Sequence, residues 1–146
     1  MDLRALSDRV EIEDLLTRYA HAVDTRDWDL YRSVFTPDAL IDYTSSGGPA
    51  GDLEETVAFL EVALDHFEMT QHLISNVDAR LGDDTAEVTA VFNNPMRLPG
   101  GTVWFTGGRY HHDLVRTEDG WRSHRLVEKS LWFDRSPMGD PNSDRT

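Results

Sequence analysis

Cysteine is absent from this chain of 146 residues, which excludes disulfide bonds, thiolate metal ligands and cysteine nucleophiles. Positive charge is also scarce, because Lys129 is the one lysine and the formal net charge is −13. Recognition of nucleic acid phosphates needs clustered lysine and arginine, which this composition does not offer. We therefore expect no nucleic acid partner.

The chain also lacks long apolar runs and a recognisable targeting signal. No run approaches the roughly 18–20 apolar residues that span a bilayer, so no membrane partner is expected. Residues Met1-Asp2-Leu3-Arg4 lack the basic start and apolar stretch of a secretory signal, and we expect a cytoplasmic protein. The length and a hydrophobic content of 39% are typical of one globular domain.

Three helices are predicted in the first half of the chain, because acidic capping residues precede apolar stripes at helical spacing. They run from Asp8 with Glu11 to about Val23, from Asp27 to the break at Thr36-Pro37-Asp38, and from Asp52 with Glu55 through Val57, Leu60, Leu64 and Phe67.

Strands dominate the second half, where β-prone segments are separated by short turns rich in glycine and aspartate. The predicted strands are Ala39–Tyr43, Thr70–Leu81, Thr85–Leu98, Thr102–Arg116 and Trp121–Phe133. The long strands should form an antiparallel meander. Residues 134–146 are rich in Pro, Gly, Asp and Ser and are predicted to be a flexible tail.

Helices followed by a long antiparallel sheet predict an α+β fold. The sheet must curl around the N-terminal helices, which gives a cone-shaped barrel enclosing a pocket for a small-molecule substrate. The open side of such a sheet should be covered by another subunit, so a homo-oligomer is expected.

Asp24 occupies an unusual place, four residues after Ala20 at the end of the apolar stripe of the first helix. Burial and the negative end of the helix dipole should both raise its proton affinity, which suits a general base. Asp24 could equally cap the second helix. Spacing alone gives these two interpretations about equal weight.

Known metal and cofactor motifs are not found. His111 and His112 are neighbours on a predicted strand, so their side chains point to opposite faces and lack the spacing of a zinc motif. The Gly47-Gly48 and Gly100-Gly101 pairs sit in ordinary turns rather than a phosphate-binding loop. We expect no metal and no cofactor.

Three stretches resemble the SnoaL-like group of the nuclear transport factor 2-like superfamily, which includes scytalone dehydratase. They are Tyr19–Asp29 continuing to Ile41-Asp42-Tyr43, Thr70–Asn76, and Gly108-Arg109-Tyr110 with Asp119–Arg122. The resemblance covers nearly all of residues 5–133 and implies that residues 1–133 form a SnoaL-like domain.

The resemblance also implies site residues. Asp24 and His72 match the Asp–His pair of scytalone dehydratase, bile-acid 7α-dehydratase and lindane dehydrochlorinase. Tyr43 matches a tyrosine that polarises the substrate carbonyl, and Tyr19 matches an active-site tyrosine of the bile-acid enzyme. Arg125 lies near the place of a basic pocket residue of the dehydrochlorinase, although it could instead pair with an acid such as Glu128.

The chain departs from scytalone dehydratase at two places. Arg97 or Leu98 stands where that enzyme has a second catalytic histidine, and Val23 replaces the tyrosine just before the catalytic aspartate. The substrate of that enzyme and its two-histidine arrangement are therefore not implied.

Three further residues are candidates to bind the substrate: Asn94, Tyr110 and Trp28. Structural roles are at least as plausible for them, since aromatic residues on strands usually serve packing. His72 itself raises a difficulty, because alternation along a continuous strand would point it toward solvent. A bulge between Ser75 and Asn76 could change the phase, or the concave face could be polar because it lines the pocket.

These residues predict a cofactor-independent lyase that uses an Asp–His dyad for a dehydratase-type elimination on a small cyclic or polyketide-like molecule. The same parts could serve an isomerase or cyclase. A non-catalytic module that binds a small ligand is the third hypothesis. Relatives with this dyad suggest a trimer, with a dimer as the alternative.

Overall fold

The fold is described here from a computed structural model, which describes residues 1–137 and 139. Its helices are Leu3–Thr25 (α1), Trp28–Arg32 (α2) and Leu53–Asp65 (α3), with a single 3-10 turn at Thr44–Ser46. The strands are Phe35–Asp42 (β1), Ala50–Asp52 (β2), Met69–Thr70 (β3), Leu73–Leu81 (β4), Thr85–Arg97 (β5), Trp104–Thr117 (β6) and Gly120–Asp134 (β7).

The seven strands form one curled sheet in the order β2-β1-β7-β6-β5-β3, and β4 also pairs with β5. The predicted antiparallel meander of β5, β6 and β7 is confirmed. The sheet is mixed because β1 joins β7 in parallel. Register shifts interrupt the β6–β7 ladder at Gly107/Gly108 and Asp113/Leu114, and such bulges increase the bend and twist of a sheet.

Helix α1 fills the concave face of the sheet with the apolar stripe expected from the sequence. Ile12, Leu15, Leu16, Tyr19 and Val23 are each at most 3% exposed. Burial of each such leucine or isoleucine side chain stabilises the fold by roughly 1.5–3 kcal/mol. The predicted α+β cone, with N-terminal helices on a mainly antiparallel sheet, is therefore confirmed.

The predicted start of the first helix at Asp8 is wrong. The helix begins at Leu3 and is capped by Asp2, which accepts a hydrogen bond of 2.8 Å from the Ala5 backbone N–H. The Asp8 carboxylate instead accepts hydrogen bonds from the Arg116 guanidinium, at 2.9 and 3.0 Å, and from the Trp121 indole N–H, at 3.1 Å. Its side chain therefore connects the helix to the sheet rather than capping the helix.

The two other predicted caps are confirmed, but the second helix is shorter than expected. Asp27 accepts a hydrogen bond from the Leu30 N–H at 3.0 Å, and Asp52 accepts one from the Glu55 N–H at 2.9 Å. Strand β1 already begins at Phe35 and includes Pro37. The proline is tolerated because the pairing of β1 with β7 is irregular from Phe35 to Leu40.

The predicted tail, 134–146, lies mostly outside the described residues. Asp134 is the last residue of β7, and the structure describes only 135–137 and 139 beyond it. Among the described residues, no helix has the length and apolar character needed to cross a membrane.

Candidate active site

A cavity of about 680 Å³ lies between α1, α3 and the concave face of the sheet, within the size range of small-molecule sites. Apolar and aromatic side chains make up most of its lining, and Phe59, Leu60 and Leu64 supply the α3 wall. Its polar lining groups include the side chains of His72, Asn94 and Glu128. A mainly apolar cavity with a few polar side chains is suited to a small ring compound.

The structure brings Asp24 and His72 into direct contact, although they lie 48 residues apart in the chain. Asp24 lies in the last turn of α1, and its Oδ1 is 2.7 Å from Nδ1 of His72. Its other oxygen, Oδ2, accepts a hydrogen bond of 2.8 Å from the backbone N–H of His72. Since the carboxylate holds both the ring and the backbone of His72, the orientation of the imidazole is fixed.

His72 does not lie on a continuous strand, so the prediction of a strand over Thr70–Leu81 is wrong. Strand β3 ends at Thr70 and β4 begins at Leu73. His72 lies in the break, where its backbone N–H bonds to Asp24 rather than to β5. Alternation therefore does not apply to it, and its ring reaches the cavity.

The bulge that could have changed the strand phase lies further along β4. The register shifts between Ser75 and Asp78, and Asn76 adopts a left-handed conformation with φ of 52°. Because His72 precedes this irregularity, the break before β4 is what determines the direction of its side chain.

Two residues that sequence reasoning did not select support the carboxylate of Asp24. Thr70 donates a hydroxyl hydrogen bond of 3.1 Å to Asp24 Oδ1 and accepts one of 2.8 Å from Arg26. The Arg26 guanidinium also donates to the backbone carbonyl groups of Val23 and Leu64. This network links the end of α1 to β3 and to α3.

The expectation that Asp24 has a raised proton affinity is wrong. Burial raises the pKa of this carboxyl, but hydrogen bonds from the His72 side chain and backbone, the charge of His72 and the Thr70 hydroxyl together outweigh it. The pKa of Asp24 is therefore lowered from its ordinary value. Asp24 is an ionised partner of the imidazole rather than the base itself.

Three tyrosine hydroxyls form a chain beside the imidazole. Tyr43 Oη lies 2.6 Å from Tyr19 Oη and 2.8 Å from Tyr31 Oη. Burial raises the pKa of Tyr19 and Tyr43 well above the ordinary value, so both are neutral donors near pH 7. Two bonds join these three hydroxyls, so one proton remains for another acceptor, and the Tyr110 hydroxyl beside Tyr19 is one such acceptor. If the Tyr43 hydroxyl accepts hydrogen bonds from both Tyr19 and Tyr31, the proton left for another acceptor is the hydroxyl proton of Tyr43.

Asn94 and Tyr110 lie side by side, but only Asn94 lines the cavity. The Asn94 amide donates a hydrogen bond of 3.4 Å to the Tyr110 hydroxyl, and its carbonyl accepts one of 3.3 Å from the Leu73 N–H. Tyr110 is fully buried and stacks on Phe92 with ring centroids 4.4 Å apart. Tyr110 therefore supports Asn94 from outside the cavity lining.

Trp28 and Arg125 do not reach the cavity lining. Trp28 is partly buried and packs against Tyr31, with ring centroids 5.8 Å apart. Arg125 lies on the outer face of β7, with 60% of its side chain exposed, and lies 4.0 Å from Asp113. Strand alternation accounts for this, because Leu126 and Glu128 occupy the inner face. Arg125 does pair with an acid, as the alternative interpretation expected, but the partner is Asp113 rather than Glu128.

Glu128 is a cavity residue that sequence reasoning missed as a site residue. Its Oε1 is buried, and no described residue provides it with a hydrogen bond, a situation that costs about 1–3 kcal/mol. Burial raises the pKa of Glu128 to about 7, the charge of Asp42 adds to the rise, and the hydroxyls of Ser46 and Ser130 offset part of it. The sequence offered one signal for it: Glu128 lies two residues after the core residue Leu126, and residues at that spacing on a strand face the same side of the sheet.

Comparison with known proteins identifies the family. Residues 4–127 match the SnoaL-like domain. The chain belongs to the SnoaL-like family. An uncharacterized protein of Mycobacterium tuberculosis is 40% identical over 130 residues, which cover 88% of each chain.

Several solved structures have the same fold. A protein of Kribbella flavida is 30% identical, with a TM-score of 0.83 over 90% of this chain and 95% of that one. A hexachlorocyclohexane dehydrochlorinase, LinA type 2, is 20% identical, with a TM-score of 0.81 over 91% of each chain. At 20% identity the likeness concerns the fold alone.

The predicted resemblance to SnoaL-like and scytalone dehydratase-like proteins is thus confirmed. Among residues 1–137 and 139, no three His, Asp or Glu side chains come together in a way that could hold a metal ion. The expectation that the protein needs no metal stays a prediction.

Proposed function

We propose that this protein is a cofactor-independent lyase that catalyses a dehydratase-type elimination on a small cyclic or polyketide-like molecule. Asp24 and His72 form its dyad, and Tyr43 or Tyr19 is the electrophilic donor. The observation that carries the proposal is the contact of 2.7 Å between Asp24 Oδ1 and His72 Nδ1 at the wall of an apolar cavity.

The hydrogen bonding of Asp24 supports His72 as the base. The lowered pKa of Asp24 keeps its carboxylate ionised near neutral pH, and an ionised carboxylate only accepts hydrogen bonds. His72 Nδ1 must then carry a proton, which leaves Nε2 with a free lone pair for a substrate proton. The carboxylate also stabilises the imidazolium that forms.

In the proposed reaction, His72 Nε2 removes a proton from the carbon next to a substrate carbonyl. The electrons of the broken C–H bond move into an enolate, whose oxygen accepts a hydrogen bond from Tyr43 or Tyr19. The enolate then collapses to a carbon–carbon double bond as the bond to the leaving hydroxyl breaks. The imidazolium returns its proton to that oxygen, and the products are an unsaturated carbonyl compound and water.

A second imidazole does not take part in this scheme. Leu98 lines the cavity, and the Arg97 guanidinium lies 3.4 Å from Glu68. These are the two residues available at the place of the second histidine of scytalone dehydratase. The scheme assigns both proton transfers to His72, which requires the hydrogen and the hydroxyl to leave from the same face of the substrate.

The experiment tests proton abstraction without requiring the natural leaving group. Exchange of the α-hydrogens of 2-tetralone, a bicyclic ketone, is followed by proton NMR in deuterium oxide with the native protein, Asp24→Asn and His72→Ala. The native protein should accelerate exchange over buffer. Each variant should lose roughly 10²–10⁴-fold of that acceleration, the usual contribution of a positioned general base.

Matched controls use exposed residues of the same helix. Asp14→Asn and His21→Ala replace the same residue types on the solvent face of α1 and should exchange at the native rate. A panel of cyclic β-hydroxy ketones then tests elimination itself. Exchange that persists in His72→Ala would remove the dyad from the mechanism.

Two alternatives use the same cavity. An isomerase or cyclase would show the same exchange and the same loss in the variants, but it would yield a product without release of water. A non-catalytic binding module would bind ring ketones with equal affinity in native and variant proteins, and neither exchange nor turnover would occur.

We further propose that the protein works without a cofactor, in the cytoplasm, as a homo-oligomer. Exposed apolar residues support association, since Leu40 and Leu131 are each 59% exposed and Trp132 is 42% exposed. Light scattering would decide between the predicted trimer and the alternative dimer.

A further inference from the structure

Glu128 is a partly buried acid of the cavity that the proposed proton transfer does not use, and its Oε1 is buried. It lies on the inner face of β7, paired in register with Tyr110 of β6. Its Oε1 receives no hydrogen bond from any described residue. Buried polar groups in native proteins are nearly always satisfied, so an acceptor that faces a cavity is a place where a donor from water or from a bound ligand can bind.

The charge of the cavity restricts what that ligand can be. Among the described residues that line it, none is lysine or arginine, and the titratable ones besides its tyrosines are His66, His72 and Glu128. Asp42 adds negative charge next to Glu128. A carboxylate ligand would meet these acids with no guanidinium or ammonium group to balance it, so the cavity disfavours anions.

The protonation state of the Glu128 carboxyl decides whether a neutral donor or a cation of the ligand is the better match. Because burial raises its pKa to about 7, both the neutral and the ionised form are populated near neutral pH. A hydroxyl can donate to the carbonyl oxygen of the acid or to the carboxylate, whereas an ammonium ion is matched only by the carboxylate. A hydroxyl is therefore the donor that fits both forms.

We propose that Glu128 is a specificity-determining residue whose Oε1 accepts a hydrogen bond from a hydroxyl group of a neutral, ring-containing substrate. This inference rests on the proposed function only in taking the cavity ligand to be the substrate. It assigns hydroxylated ring compounds as the substrate class and excludes aromatic carboxylates.

Binding of four matched probes tests the assignment by isothermal titration calorimetry at pH 7. 2-Naphthol has a neutral donor, 2-methoxynaphthalene lacks it, 2-naphthoate is an anion, and 2-(aminomethyl)naphthalene is a cation. The native protein should bind 2-naphthol about 10-fold more tightly than 2-methoxynaphthalene, as expected for one buried hydrogen bond. It should bind 2-naphthoate at least about 10-fold more weakly than 2-naphthol.

Two variants separate hydrogen bonding from charge. Glu128→Gln keeps a carbonyl acceptor and should retain the preference for 2-naphthol while binding 2-naphthoate more tightly than the native protein does. Glu128→Leu should bind 2-naphthol and 2-methoxynaphthalene within about twofold of each other, because only the apolar contact remains. Glu61→Gln removes an exposed carboxylate of α3 and should leave all four affinities unchanged.

Two outcomes would overturn the assignment. One is a preference for 2-naphthol that survives in Glu128→Leu, and the other is tightest binding of the cationic probe. Thermal unfolding and the affinity for 2-methoxynaphthalene show whether Glu128→Leu has kept its fold, and Glu128→Gln provides the second variant.

The same titrations in His72→Ala separate this inference from the proposed function. Loss of ketone exchange with the 2-naphthol preference intact supports both. If the native protein prefers 2-naphthol but does not catalyse ketone exchange, this inference is supported and the lyase proposal is contradicted. If it catalyses ketone exchange but shows no preference for 2-naphthol, the lyase proposal is supported and this inference is contradicted.

Discussion

Replacing Asp24 by asparagine should move the ring proton of His72 from Nδ1 to Nε2, and the hydrogen bonds of the dyad explain why. In the native protein both carboxylate oxygens accept, one from the His72 backbone N–H and the other from the His72 ring. An amide has one acceptor and one donor end, so it cannot replace both bonds.

Two amide orientations are possible in Asp24→Asn, and the backbone decides between them. If the NH₂ group faces the His72 backbone N–H, two donors oppose each other in a half-buried site and the backbone group is left unpaired. If the carbonyl faces that N–H, the NH₂ group donates to His72 Nδ1, and the ring proton must move to Nε2. The second orientation is favoured, and it turns the proposed base into a donor.

The expected cost is a loss of about 10²–10⁴-fold in ketone exchange, which corresponds to roughly 2.7–5.5 kcal/mol of transition-state stabilisation. Even in the less favourable orientation, a neutral amide would not stabilise the imidazolium. Nitrogen-15 NMR of the His72 ring distinguishes the two tautomers, and thermal unfolding checks that the variant folds. Exchange within a few-fold of the native rate, or a ring still protonated at Nδ1, would refute the reasoning.

Much of the fold was predictable because it depends on local patterns. The turns Gly82-Asp83-Asp84 and Glu118-Asp119-Gly120 determined where the long strands end, and the stripe containing Tyr19 and Val23 identified the buried face of α1. Such patterns report backbone conformation and burial over a few residues. Long-range partners are not encoded at that scale.

Asp8 illustrates this limit. Together with Glu11 it forms a capping-box pattern, yet both carboxylates accept hydrogen bonds from residues more than 100 positions away. A short polar side chain with two acceptor oxygens suits either use. Only the return of β7 to the helix decides between them.

Only part of the candidate site could be predicted from the sequence. The match of Asp24 and His72 came from resemblance to a family, and the structure places the two side chains in contact. The break that directs His72 could not be found by alternation, which assumes unbroken pairing. Arg125 was selected and Glu128 was missed for a related reason, because choosing the inner face of β7 requires its register against β6.

Three further predictions concern stability. Asp8→Ala should destabilise the fold by roughly 1–3 kcal/mol and lower the melting temperature by about 3–10 °C in calorimetry, because it leaves the buried Trp121 indole N–H without an acceptor, while Arg116 keeps its contacts with Asp83 and Asp84. His112 is buried with its pKa lowered to about 3, so it folds neutral while the unfolded chain binds a proton. Stability should therefore fall as the pH drops from about 6.5 toward 3, and His112→Gln should reduce that loss in urea titrations. Glu128 has the opposite effect on the pH dependence of stability, because its pKa in the fold is about 7, above the ordinary value of 4.5. The unfolded chain thus releases this proton first, and the fold loses up to about 3 kcal/mol between pH 4.5 and 7. Glu128→Gln has no such group to ionise, so its stability relative to the native protein should be greater at pH 8 than at pH 5. An equal difference at both values, measured by urea unfolding, would mean that Glu128 titrates normally and that its carboxyl is hydrated rather than buried.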